Sequence, residues 1–286
     1  MSEHPDSAIT VANSWTYDWE ARKKPAIHPL CSPAGHVLTR MQPDDHPWHR
    51  ALWFTIKYVG DDNFWEEQPP YGVLRHDGPP GLEGPDDAGR VTIAGRVTWT
   101  RPDRETTAIV EQRRLTHVPI DDSSYAIDVD TELTATADTV LDRTPFTTWG
   151  GYGGLAMRGR GDWHDTRLML DDGEPRERAI GVPSRWCDLT GPIGESGTGD
   201  DPVAGIAFLD HPDSPRHPVP WYASTRAATY GDEGWSNFVN AAFLFHEALP
   251  LPADEPLRFR YRVLVHDGWW DAARVDTAWE EYAADG

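Results

Sequence analysis

The stretch LRFRYRVLV at residues 257–265 limits the fold of this chain more than any other. Leu257, Phe259, Tyr261, Val263 and Val265 share one parity, and Arg258, Arg260 and Arg262 share the other. Successive side chains of a strand point to opposite faces, so this alternation describes a strand with one buried apolar face and one wet cationic face. The same pattern recurs in Val91–Thr100 (VTIAGRVTWT), where Val91, Ile93, Val97 and Trp99 keep one parity around Gly95. In residues 125–133 (YAIDVDTEL), Tyr125, Ile127, Val129 and Leu133 alternate with Asp128, Asp130 and Glu132. Residues 203–209 form a shorter apolar run that fits a more deeply buried strand.

Helical periodicity is confined to the C-terminal end. There Val275, Trp279 and Tyr282 follow i, i+4, i+7 spacing after Trp269-Trp270. The 25 prolines and 25 glycines punctuate short elements, and residues 77–89 and 191–202 read as long surface loops. Neither loop separates stretches of different composition, and no internal repeat is visible. These features predict an all-β chain: one large antiparallel β-sandwich domain over residues 1–286, with its core at about 19–268. A short C-terminal helix over about 270–284 is expected to pack against the sandwich and close one edge.

Charge narrows the partners. Forty-seven acidic residues against 26 lysines and arginines leave a net charge of -21, and nucleic acid or an anionic membrane surface would need a positive face. No apolar run approaches the roughly 18 residues that span a bilayer. The start, MSEHPDSAIT, has neither a basic beginning nor an apolar core, so no signal peptide is expected. Cys31 and Cys187 lie far apart with no metal-type spacing and read as a reduced pair, with a lone disulfide as the alternative. The expectation is a soluble, cytoplasmic protein with a small-molecule partner. Fourteen tryptophans suit both a sandwich core and platforms on which sugar rings stack, the core having the larger claim on any one of them.

Residues 27–76 carry the chemistry-bearing pattern, with His28, His36, His46, His49 and His76 among the chain's twelve histidines. His28 and His46 each precede proline, which biases them toward extended backbone. His46 and His49 follow Asp44 and Asp45, and Glu66 and Glu67 come shortly after. Two imidazoles with a carboxylate suit proton transfer or substrate hydrogen bonding, the reading given most weight, with His46, His49, Glu66 and Glu67 as catalytic candidates. A divalent metal on His46 and His49 with Glu66 or His76 is the weaker reading, because the spacing matches no zinc signature. A purely structural role, with imidazoles satisfied by backbone groups, is the third. A second cluster, DHPDSPRHPVPWY at 210–222, offers Arg216, His217, Trp221 and Tyr222 for gripping a polyhydroxylated ligand, beside a plain polar-loop alternative. The glycine-rich WGGYGGLAMR at 149–158 is no phosphate loop and aims Arg158 toward a site. His28 and His76 complete the set of expected substrate-binding residues.

The segments IHPLCSPAGHVLTR, DHPWHRALWF, NFWEE, YGGLAMR, DHPDSPRHPVPWY and LRFRYRVLVHDG together resemble the bacterial family DUF6807, also labelled PmoA-like or "methane oxygenase PmoA". The resemblance runs from Trp19 to Gly268 and departs at Arg50-Ala51, where relatives often carry histidine and glycine. It implies a galactose-mutarotase-like supersandwich and, by the company such proteins keep, carbohydrate metabolism. The label borrows from a membrane-bound copper enzyme, and without a spanning segment methane oxidation is not expected. Three functions follow as expectations. The first is an enzyme moving protons on a sugar or oxidised sugar as an epimerase, lyase or hydrolase. The second is a non-catalytic carbohydrate-binding module, and the third is the metal-dependent oxygenase of the label.

Overall fold

The computed structural model describes residues 7–21, 23–144, 151–163, 165–194, 201–226 and 236–285. Two extended sheets carry the chain, and every strand pair among the described residues is antiparallel. The first has eight strands in the order Ala8–Val11, Trp15–Asp18, Ala26–Leu30, Leu52–Ile56, Gly153–Arg158, Phe238–Ala241, Pro220–Ser224 and Arg178–Pro183. The second orders Arg167–Leu170, Trp186–Pro192, Val203–Asp210, Leu257–Asp267, Ser124–Ala135, Thr107–Asp121, Val91–Thr100 and Val73–His76, with Gly81–Glu83 also paired to Val91–Thr100. A small sheet of Leu249–Leu251, Thr139–Asp142, Tyr58–Val59 and Asp62–Asn63 accompanies them.

The core lies between the two large sheets, as the alternation requires. From the second sheet come Phe259, Tyr261, Val263 and Val265, along with Ile127, Val129 and Leu133. From the first come Leu52, Phe54, Ile56, Leu155, Met157 and Val239. Each fully buried large aliphatic or aromatic side chain contributes about 1.5–3 kcal/mol, so this cluster dominates the stability of the fold. The interior also encloses a polar knot. Glu111 accepts from Arg113 (2.6 and 3.0 Å), Trp99 Nε1 (2.8 Å) and Thr131 Oγ1 (2.5 Å). Arg113 reaches across to the Tyr17 hydroxyl of the first sheet at 3.3 Å, and His76 Nε2 lies 2.8 Å from the same hydroxyl.

The helix, Ala272–Ala284, begins at Asp271, whose side chain accepts from the Arg274 amide. It was expected to close an edge. Instead it lies on the outer face of the second sheet, where Val275 and Tyr282 pack with Ala126, Ala207, Leu209, Leu264 and Trp186. This explains why Leu264 is buried out of parity with its neighbours, while Arg258, beyond the helix, keeps its surface in water and Arg260 donates to the carbonyl of Asp285 at the helix C-terminus. Residues 77–89 are mostly loop but contribute the exposed strand Gly81–Glu83. Residues 191–192 finish the strand Trp186–Pro192, and 195–200 of that predicted loop lie outside the described residues, as do Trp149 and Gly150 of the glycine-rich segment. No helix among the described residues is long and apolar enough to cross a membrane.

Candidate functional site

Residues of the first sheet that do not face the core form a second apolar layer on its far side. Ala26, Trp53, Ala156, Tyr222 and Phe238 cluster there with Trp65, each set one step out of register from core residues such as Leu52, Phe54 and Leu155. Arg158 ends the same strand as Ala156, on the same parity, and is buried.

The loop between Met41 and Arg50 sits over this layer. An antiparallel bridge from Met41 to Arg50 closes it, as does a hydrogen bond from the Gln42 amide to the His49 carbonyl (2.9 Å). Within it the sequence PDDHPWH makes two consecutive turns, His46 N to Pro43 O at 3.0 Å and His49 N to His46 O at 2.9 Å. Aspartate favours such turns, and Pro47 occupies the second position of the latter, where its fixed φ belongs. The turns bring the His46 and His49 rings into a stack with centroids 4.6 Å apart. His49 then stacks on Phe238 (5.0 Å) and leans on Trp53 (5.2 Å), with the edges of Trp48 and Trp65 beyond. Ring contacts continue from Trp65 to Tyr152 (4.9 Å) and from Tyr152 to Tyr222 (5.7 Å).

The two histidines differ in exposure and surroundings. His49 is 3% exposed, and burial followed by the neighbouring His46, Arg158 and Lys24 charges holds its pKa well below the ordinary value, so the ring is neutral. His46 keeps 24% of its side chain in solvent, and its Nδ1 lies 3.1 Å from Asp45 Oδ2, which also accepts from Arg158 Nη2 at 2.7 Å. Burial opposes the Asp45 charge, but the His46 and Arg158 hydrogen bonds outweigh it and hold the carboxyl below its usual range. Three buried polar atoms here have no hydrogen-bond partner among the described residues: His49 Nδ1, Trp53 Nε1 and Asp45 Oδ1. Orphaned polar atoms in a buried cluster cost about 1–3 kcal/mol each, so this group of three makes the face a candidate ligand surface.

Neither glutamate is left free. Glu67 is held bidentately by Arg50 (2.8 and 2.5 Å) and by Lys23 (2.9 Å) and Lys24 (3.3 Å), while Glu66 pairs with Lys57. Although burial opposes it, Arg50 and Lys24 keep Glu67 below the usual carboxylate range. His28 borders the site on Ala26–Leu30, its Nδ1 2.9 Å from Thr39 Oγ1.

The other expected site residues lie elsewhere. His76 belongs to the interior knot, where burial and then Arg113 push it down to about 4. Trp221 neighbours Tyr222 on one strand and therefore faces the opposite way, into the core, donating to Ser184 O at 2.8 Å. Arg216 donates to the carbonyls of Phe243, Glu247 and Ala248, which makes it a loop fastener. His217 pairs with buried Asp210 (2.8 Å) and stacks on Trp279 of the helix. A metal set of His46 and His49 with Glu66 or His76 does not assemble: the histidine rings lie face to face, Glu66 is turned to Lys57 and His76 is in the knot. Among the described residues no three of histidine, cysteine, aspartate and glutamate converge as ligands. Trp53, Phe238, Tyr152 and Lys24 were not expected. Trp53 was legible, because the central residue of a buried Leu-Trp-Phe strand must face away from its neighbours.

Several solved structures resemble the fold. An aldose epimerase homologue from C. elegans shares 10% identity over 91% of this chain and 98% of its own, at a TM-score of 0.39. A galactose 1-epimerase from Lactobacillus acidophilus shares 7% over 92% and 94%, at 0.43. A galactose mutarotase related enzyme from the same organism shares 8% over 91% and 96%, at 0.38. At such identities no residue role follows from them. No curated protein matches the sequence. The family comparison is firmer than the structural ones: one model matches residues 10–280, a wider span than the motifs alone, and the chain belongs to the Family of unknown function (DUF6807).

Proposed function

We propose that this outer face binds a sugar or sugar acid and that His46 exchanges a proton with it. The carrying observation is the Arg158–Asp45–His46 series at the rim of an aromatic layer with orphaned polar atoms. A carboxylate at Nδ1 fixes the proton there and leaves Nε2 as the acceptor, and Arg158 keeps that carboxylate ionised. The half-buried rings of Trp48 and Tyr152 suit the C–H face of a pyranose, while imidazole and carboxylate groups suit its hydroxyls. His46 takes the proton from a carbon beside a carbonyl or from a hydroxyl, and neutral His49 hydrogen-bonds the oxygen.

The test is incubation in D2O with a panel of aldoses, ketoses and sugar acids, following C–H exchange and anomer exchange by proton NMR. Loss of the general base is expected to lower the rate by about 10²–10⁴ in His46→Gln. A His46→Gln protein that exchanges at the full rate would refute the assignment.

One observation favours a second reading, a non-catalytic sugar-binding module: Glu66 and Glu67 are both held in ion pairs, which leaves neither free as a second proton-transfer group for His46. Thermal stabilisation by a sugar with no acceleration of its C–H or anomer exchange would select it. The oxygenase label has no support in the family description or in the donor set. Cys31 and Cys187, both free thiols, suit the reducing cytoplasm.

A further inference from the structure

The sequence holds only three lysines against 23 arginines, and all three lysines converge on one pair of neighbouring glutamates. Lys23 and Lys24 meet Glu67, and Lys57 meets Glu66. Of the three, Lys24 is the most enclosed, at 1% exposure. An ammonium carries three N–H donors and no acceptor. Those of Lys24 find three acceptors on two separate segments: Trp48 O at 3.2 Å, Trp65 O at 2.5 Å and Glu67 Oε1 at 3.3 Å. Trp48 lies in the turn between His46 and His49. Trp65 stacks on Tyr152 and presents its edge to His49.

We infer that Lys24 is the positioning residue of this site, its ammonium tying the His46–His49 turn to the segment 65–67 and holding both against the sheet. The inference rests on the reading of that face as the functional site. It also explains the residue type. A planar guanidinium suits carboxylates approached side-on, as at Arg258–Asp130 and Arg262–Asp128. Three acceptors from separate segments around one atom need a compact ammonium. The charge has a second effect, since Lys24 is among the cations that disfavour protonation of His49. Facing Lys24 are Glu67, Arg50 and Glu66, and burial, the largest influence, lowers its own pKa to about 8.

The experiment is an NMR titration, without ligand, of protein labelled at lysine Cε and in the histidine rings. Each of the three lysine signals is assigned by its own substitution, and His46→Gln and His49→Phe assign the two rings. In the unsubstituted protein the signal missing from Lys24→Met titrates near pH 8, and the His46 and His49 ring signals show an inflection at the same pH. In Lys24→Met that inflection disappears and the His49 midpoint rises, because a like charge is gone. Lys24→Arg does not restore the original ring positions. Ring signals of Lys24→Met that superimpose on the original would overturn the inference. Should Lys24→Met fail to fold, the unsubstituted protein decides: histidine rings that ignore the Lys24 titration overturn it. No sugar is present, so a failed exchange assay and a failed titration are separate results.

Discussion

Glu111→Gln in the interior knot puts the division between structural and functional polar groups to a quantitative test. The Glu111 side chain has no exposed surface and takes two hydrogen bonds from Arg113, one from Trp99 and one from Thr131. Glutamine is nearly isosteric, so no cavity opens and the change reports charge and hydrogen bonding alone. Removing one partner of a buried ion pair strands the other, at about 3–5 kcal/mol. The new amide also turns an N–H₂ toward groups that are themselves donors, which leaves Trp99 Nε1 or Thr131 Oγ1 unsatisfied at about 1–3 kcal/mol. Since about 1.4 kcal/mol is tenfold, the unfolding constant should rise by at least about 10². Urea titration followed by far-ultraviolet circular dichroism measures this, and adding Arg113→Met should recover part of the loss, because the stranded cation goes with it. A cost below about 1 kcal/mol for Glu111→Gln would mean that the guanidinium is hydrated in the folded protein. The picture of a dry ion pair at Glu111 would then fail.

Two further predictions concern stability. His76 titrates near 6.5 when unfolded and near 4 when folded, so between these values the unfolded chain binds more protons and stability falls as the pH drops. Discounted for partial exposure, the loss is about 2 kcal/mol, and urea midpoints at pH 7 and pH 4.5 should converge in His76→Gln relative to the unsubstituted chain. Gly205→Ala would set a Cβ 2.3 Å from both His266 Cε1 and Thr190 Oγ1, which pack around Asp188, and should cost about 1–3 kcal/mol. An unchanged melting temperature there would show that His266 has another position available.

Much of the fold was legible because it is local. Alternation assigned 257–265 residue by residue, and the i, i+4, i+7 spacing placed the helix, since both periods follow from backbone geometry alone. What alternation could not reveal was where the helix would lie, and Leu264, apolar at a position reserved for polar residues, was the one trace of it. The site divides in the same way. The turns in PDDHPWH are local chemistry and bring His46, His49 and Asp45 together. Phe238, Tyr152 and Lys24 reach the same place only through strand order in the first sheet, which no local pattern encodes. The segment 210–222 divides for a related reason: Tyr222 joins the aromatic layer, whereas its cation and imidazole fasten a loop and a helix, and a sequence cannot distinguish an arginine that meets carbonyls from one that meets a ligand.

Read in one dimension, His46 and His49 are a pair with interchangeable roles, and folding gives them different ones. The same two turns that stack the rings leave one against Phe238 and Trp53 and the other at the surface beside a carboxylate. Burial, reinforced by the neighbouring Arg158 and Lys24 charges, removes His49 from proton exchange near neutral pH and leaves it a hydrogen-bonding group. His46 has the solvent contact and the oriented tautomer that proton exchange requires. Environments that separate two chemically identical groups are how one site obtains an acid-base residue and a neutral hydrogen-bonding residue at one pH. If His46 is the moving part and His49 the fixed one, substituting His46 should slow exchange by the same factor of about 10²–10⁴ and spare binding, whereas His49→Phe should keep the stack and weaken binding itself.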